Sequence, residues 1–240
     1  MKISLFIPCL VDQFYPGVGK HTYRILKRFG FNIAYSDEQI CCGQLLFKSG
    51  YWEKTRPLAK RTIRAFGKAE ILVAPSGSCV NMIRHHYTEL FRDDPLWLER
   101  AQALSSKTYE LTEFLVNVAH IEDPGASFQK KVTYHDSCQV LRALGISKEP
   151  RQLIQHVRGI EFIEMADSDV CCGFGGIFSF KNPHIARAMV EEKVRNILAT
   201  GAEWVTGCEI SCLMHIDGYM RHQKIPVRAV HIAELLGNGF

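Results

Sequence analysis

Cys171-Cys172-Gly173-Phe174-Gly175-Gly176 is the stretch on which the reading of this sequence turns, and Cys41-Cys42-Gly43 repeats its core. Adjacent cysteines are badly placed to bridge each other, because neighbouring Cα atoms stand about 3.8 Å apart while an unstrained disulfide wants roughly 4.4 to 6.8 Å. They can instead ligate two different metal atoms of one cluster. The glycine after each pair is expected to remove a side chain where a cluster meets the backbone and to free N–H groups to face sulfur.

Outward from these pairs the chain repeats itself. Cys9 precedes Cys41 by 32 positions and Cys138 precedes Cys171 by 33; Ala69-Glu70 lies ten residues ahead of Cys79, and Ala202-Glu203 ten ahead of Cys212. All nine cysteines fall inside this scheme. Self-similarity of this kind marks a duplicated structural unit. Apolar patterning predicts strands over 2–7, 31–35, 69–74, 131–134, 160–164 and 203–206. Helices are expected over 19–29, 51–66, 80–91, 95–104, 111–118, 150–157, 185–200 and 213–222. Tyr23, Leu26 and Phe29 should face inward on the first of these, and Ile185, Met189, Val194, Ile197 and Leu198 on the seventh. Alternating strands and helices predict an α/β fold, a tandem repeat of two similar three-layer units with mostly parallel sheets. The breaker-rich segment Ile121-Glu122-Asp123-Pro124-Gly125-Ala126-Ser127 places the first domain at 1–122 and the second at 128–240. Ligand sites in such sheets form at the C-terminal ends of strands, and Cys9, Cys79, Cys138 and Cys212 each closely follow a predicted strand.

Composition narrows the function classes. An apolar content of 47% with 22% charged residues suits a globular chain with a sizeable core, and a net charge of +4 with interleaved signs gives no basis for nucleic-acid binding. The N-terminal run Met1 to Leu10 is too short and too soon interrupted for a secretory signal, and no window has the roughly 18 to 20 apolar residues of a membrane span. An odd number of cysteines at modest density points to reduced, cytoplasmic, metal-directed thiols.

Thiolate suits iron–sulfur clusters, copper(I) and zinc. The single cysteines lie over thirty residues from each CC pair, which makes a poor zinc ribbon and a fair pocket for something larger than one ion. Gly17-Val18-Gly19-Lys20 fails the phosphate-loop pattern at Phe14 and His21, and Phe174-Gly175-Gly176 is no dinucleotide fingerprint. His135 and His215 read as hydrogen-bond partners of neighbouring ligands, His85-His86 as a solvated helix face, and Cys208 as either a small buried residue or a ligand.

The stretches IPCLVDQFYPGVGK (7–20), QICCGQ (39–44), APSGSC (74–79), HDSC (135–138), CCGFGG (171–176) and CLMHI (212–216) carry a resemblance. The sequence resembles the CCG, or cysteine-rich, domain family, whose domain occurs twice in one of the subunits of heterodisulfide reductase and in the iron-sulfur subunits of glycolate and glycerol-3-phosphate oxidation systems. Within that family it is similar, over essentially its whole length, to the lactate-utilisation branch. The resemblance implies one iron-sulfur cluster per half, of the 4Fe-4S type, held by Cys9, Cys41, Cys42 and Cys79 in the first half and by Cys138, Cys171, Cys172 and Cys212 in the second. The full family pattern ends in C-x-x-C, and the sequence departs from it: Ser76 and Glu209 occupy the extra position, and Cys208 is displaced by one. A cubane cluster, a non-cubane cluster with a serine or glutamate ligand, and a labile cluster all stay open. The implied role is an electron-transfer subunit, with no catalytic residue of its own, in a cytoplasmic complex oxidising L-lactate to pyruvate. Its expected partners are a ferredoxin-type iron-sulfur protein and a third subunit. Clusters pass electrons singly, so a partner or another cofactor must split the electron pair of a 2-hydroxy acid. Two alternatives remain: a redox enzyme working on glycolate, another 2-hydroxy acid or a thiol/disulfide at a weakly ligated iron near Ser76 or Glu209, and a structural subunit stapled by zinc.

Overall fold

The computed structural model describes residues 1–239, which divide into two compact units, Met1–Phe114 and the remainder from Leu115. The first unit is built on strands β1 (Lys2–Leu5), β2 (Asn32–Ala34), β3 (Ile71–Ala74) and β4 (Thr108–Glu110), all parallel, in the order β2-β1-β3-β4. The second uses β5 (Lys131–Tyr134), β6 (Glu161–Phe162), β7 (Trp204–Gly207) and β8 (Arg228–His231) in the matching order β6-β5-β7-β8. The expected α/β tandem repeat with parallel sheets is present. In each sheet the chain steps to one side of its first strand and then crosses to the other. A crevice therefore opens at the C-terminal ends of the two central strands, β1 with β3 and β5 with β7.

The strands read as near-continuous apolar runs because helices cover the sheets. Ile3, Leu5, Leu72 and Val73 are buried in the first unit, and Val132, Tyr134 and Val205 in the second. The long helices before β3 and β7, Trp52–Phe66 and Pro183–Ala199, match position by position. Thr55, Ala59, Thr62, Ile63 and Phe66 form the buried face of one; Ala186, Val190, Lys193, Val194 and Ile197 form that of the other, at identical intervals. Pro183 opens the second helix at a position whose N–H would have no intrahelical partner anyway.

Several expectations about faces and ends need correction. Tyr23 is exposed on the Pro16–Arg28 helix, whose inner face is Val18, Thr22, Ile25 and Leu26. That helix begins at Pro16, ahead of the expected start at 19. Ile185 and Leu198 are exposed, because burying Ala186, Val190 and Lys193 rotates the helix away from them. His85 is exposed as expected, but His86 is half-buried, with its ring 4.7 Å from that of Phe47. Strands β4 and β8 lie outside the expected set: β4 has three residues with little apolar character and pairs at the sheet edge through Leu72, Val73 and Ala74, and β8 is the matching edge strand of the second sheet. Among the described residues no helix is long and apolar enough to cross a membrane.

Each edge strand β4 and β8 ends in a capping box. Glu110 accepts from the Thr112 and Glu113 N–H groups while Glu113 reaches back to the Glu110 N–H; His231 accepts from Ala233 N–H while Glu234 reaches back to His231. The mutual satisfaction of end groups is the same, but the charge chemistry is opposite. Burial pushes the Glu110 carboxyl up to about 7 and His231 down to about 4. An unfolded glutamate titrates near 4.3. The native protein therefore holds the Glu110 proton in a window where the unfolded chain has released it. That contribution is complete below the unfolded value and is lost as pH rises through about 7. Glu110→Gln should accordingly gain on the parent chain by about 2–3 kcal/mol between pH 5 and pH 8, read from urea-unfolding midpoints. A gap that does not change with pH would show that Glu110 is not buried uncharged.

Candidate metal centre

The topology carries single cysteines to the central crevice of each unit. After β1, Pro8 leads into the short helix Cys9–Phe14; after β3, Ser76 caps the helix Gly77–Asn81, which contains Cys79. After β5, Cys138 precedes the π-helical turn Gln139–Ala143, and after β7, Glu209 caps Ile210–His222, with Cys212 in its first turn. The two CC pairs enter from loops that follow the outer strands β2 and β6.

In the first unit the four sulfurs converge. Cys9 Sγ stands 3.7 Å from Cys41 Sγ, and Cys42 Sγ stands 3.3 Å from Cys79 Sγ. The Gly43 N–H points at Cys41 Sγ at 3.5 Å, and the Tyr87 hydroxyl donates to the Cys42 carbonyl at 2.9 Å, holding the loop from behind. In the second unit the Gly173 N–H meets Cys171 Sγ at the same 3.5 Å, and Cys212 Sγ lies 3.7 Å from Ser137 Oγ. Donor atoms of His135, Cys172 and Cys212 all fall within 4.8 Å of one another. All nine cysteines are unbridged.

The glycines act differently from expectation in one respect. Their N–H groups do face thiol sulfur, but the missing side chain makes room for a helix. Gly43 and Gly173 have φ of +86° and +85°. A Cβ on Gly43 would sit 3.0 Å from the Thr55 methyl, and one on Gly173 would sit 2.7 Å from the Ala186 carbonyl oxygen and 2.9 Å from Met189 Cβ. The left-handed turn thus presses each CC loop against the long helix of its unit.

Electrostatics show what the sulfur sets lack. Hydrogen bonds from Cys42 and then Cys9, with help from the Gly43 N–H, hold Cys41 far below the ordinary thiol range, while the same contacts push Cys9 and Cys42 up. At Cys172 the contact with Cys171 favours the thiolate, but the contact with Cys212 and burial outweigh it and raise the thiol. Such a group can carry little negative charge by itself, because like charges this close disfavour each other. A metal supplies the missing positive charge and leaves every sulfur deprotonated. Converging thiols that cannot all ionise together fit a thiophilic metal, and the residues present could hold one in each unit.

The subsidiary candidates are occupied locally. Ser76 Oγ accepts from the Cys79 N–H at 3.5 Å and lies 3.2 Å from Ser78 Oγ. The Glu209 carboxylate accepts from Ser211 Oγ at 3.0 Å and from its N–H at 3.5 Å. Cys208 is fully buried with its sulfur 3.3 Å from the Tyr134 hydroxyl.

A polar network that the sequence motifs do not announce surrounds the second set. Arg151 forks onto Asp136 at 2.6 and 3.0 Å and onto Glu164 at 2.7 and 2.8 Å, and Ser168 Oγ donates to Asp136 at 2.7 Å. Lys193 is wholly buried, donates to the Asp167 and Ser168 carbonyls at 2.8 and 3.1 Å, and is close enough to Cys172 for their charges to interact. One sequence signal does point to it: Lys193 interrupts the stripe of Val190, Val194 and Ile197 on an otherwise regular helix face. Both cations are engaged, so neither stands ready for an external carboxylate.

Two sets of converging thiols at the crevices of duplicated parallel α/β units define a tandem cysteine-rich protein. The Cysteine-rich domain (CCG) family matches residues 3–84 and 132–217. Lactate utilization protein A of Shouchella clausii is 49% identical over 99% of this chain and 99% of its own length, and that of Halalkalibacterium halodurans is 46% identical over 99% and 97%. The chain belongs to the cysteine-rich domain family and, within it, to the lactate utilization protein A proteins. The crystal structure of a hypothetical protein from Helicobacter pylori shares the fold, with a TM-score of 0.65 at 12% identity; all of this chain aligns to 49% of that one.

The two glycine turns should differ in tolerance. Gly173→Ala, which drives a Cβ into backbone, should cost about 2–3 kcal/mol of unfolding free energy, and Gly43→Ala, which meets only a methyl group, about 1–2 kcal/mol. Chemical denaturation of the metal-free chain would measure both, and equal small losses would show that the loops do not bear on the helices.

Proposed function

We propose that this chain is an iron-sulfur electron-transfer subunit of a lactate-oxidising system, with one cluster in each half. The observation that carries this reading is the convergence of thiols in each unit, Cys9, Cys41, Cys42 and Cys79 in the first and Cys172 with Cys212 in the second, in a protein whose relatives are named for lactate utilization. Cys9, Cys41, Cys42 and Cys79 hold the first cluster, and Cys138, Cys171, Cys172 and Cys212 the second. The bound clusters, of the 4Fe-4S type, supply one-electron transfer. The chain's own residues fix the thiolates, exclude water by burying Cys42, Cys79, Cys172 and Cys212, and shape the local charge.

On this reading the oxidation of L-lactate to pyruvate takes place with partner subunits, one of them a ferredoxin-type iron-sulfur protein, in the cytoplasm. The two cysteine-rich domains extend over 1–122 and 128–240. The local engagement of Ser76 and Glu209 supports electron transfer over chemistry at an open iron. Engagement of Arg151 and Lys193 supports substrate binding on a partner, because a carboxylate substrate needs a cation with donors to spare.

Anaerobic purification with iron, zinc and acid-labile sulfide measured together tests the reading. Iron and sulfide in near-equal amounts are expected, with a signal that changes on dithionite reduction. Cys42→Ser and Cys172→Ser should each remove about half of the iron, since each lies in a different thiolate set. Zinc without sulfide would replace the proposal with a zinc-stapled structural subunit.

A further inference from the structure

Position by position, the two units share a scaffold but not a lining. Phe6 and His135 stand directly after the first strand of their units, each three residues ahead of a single cysteine. Their backbones make the same bond, Phe6 N–H to the Val73 carbonyl and His135 N–H to the Thr206 carbonyl, both at 2.9 Å. Both side chains are buried. The fold thus accepts a plain aromatic ring at this point, and packing alone does not call for an imidazole.

The imidazole is also poorly served by the protein. Neither ring nitrogen of His135 has a hydrogen-bond partner among the described residues, although the residue is only 1% exposed. The nearby Ser168 carbonyl already accepts from the Asp136 N–H and from Lys193. A buried polar group without a partner costs about 1–3 kcal/mol, and a native exception calls for an explanation such as a bound ion. Here the unpartnered ring faces sulfur: its nearer nitrogen lies within 4.8 Å of both Cys172 Sγ and Cys212 Sγ.

We infer that His135 donates an imidazole nitrogen to the metal centre of the second unit, so that this centre has a mixed nitrogen and sulfur donor set while the first is ligated by sulfur alone. The inference rests on the proposed cluster in the second half and puts an imidazole at one of its iron positions in place of one of the four thiolates. Nitrogen in place of sulfur removes negative charge from a cluster and raises its reduction potential, as imidazole does where it replaces thiolate on iron. The second centre then becomes the more readily reduced of the two.

Hyperfine spectroscopy of the full chain, reconstituted anaerobically and grown with nitrogen-15 histidine, tests the assignment. A histidine-nitrogen coupling of directly ligated size is expected in the paramagnetic state of the second centre. It should persist in Cys42→Ser, which removes the first centre, and vanish in His135→Phe, which copies the first unit. His135→Phe should also lower the midpoint potential of the second centre toward that of the first. Two centres containing iron and sulfide with no such coupling, with only a weak one of hydrogen-bond size, or with one that survives His135→Phe would overturn the ligand assignment and leave the cluster reading intact. A chain with no iron in its second half would overturn both. The labelled parent protein gives its answer even if His135→Phe does not fold.

Discussion

Sulfur atoms from distant parts of a chain have to meet without water between them, and the order of strands in each sheet makes that possible. Placing the first and third strands side by side aims the chain segments after both into one crevice. Two single cysteines arrive there simply by following those strands. The CC pair comes from farther out and needs a sharp return, which a left-handed glycine provides. A residue with a Cβ at that turn collides with the helix behind it, so the loop, the helix and the crevice are fixed together.

The geometry has an electrostatic cost that the protein leaves unmet. In the first unit the contacts among the thiols pull Cys41 below the ordinary thiol range and push Cys9 and Cys42 above it. A cation bound among these sulfurs would let the set hold its full charge, and its uptake would then be coupled to folding at the level of individual sulfurs.

Much of this is legible in the sequence, for identifiable reasons. The repeated spacing of Cys9, Cys41, Cys79 and their counterparts exposes the duplication, and apolar runs at Lys131–Tyr134 and Ile71–Ala74 mark parallel strands. Helix faces are harder, because the burial stripe of Pro183–Ala199 admits a lysine and excludes Ile185 and Leu198. Hydrophobicity alone turns that helix the wrong way. Strand β4 is invisible because an edge strand three residues long has neither length nor alternation to show. The Arg151, Asp136 and Glu164 clamp depends on residues brought together from three segments, and no local pattern reports it.

The correspondence of the two long helices has a further consequence. Where the first has the neutral hydroxyl of Thr62, the second has the ammonium of Lys193, sealed from solvent and bonded to uncharged carbonyls. Buried charges are screened far less by salt than exposed ones, so the field of this ammonium persists at the ionic strength of a cell. Any negative charge that comes to rest on the nearby sulfur set sits in a deeper well than the same charge in the first unit. Two copies of one scaffold are thus made electrically unequal at this helix position, whatever else differs in their linings.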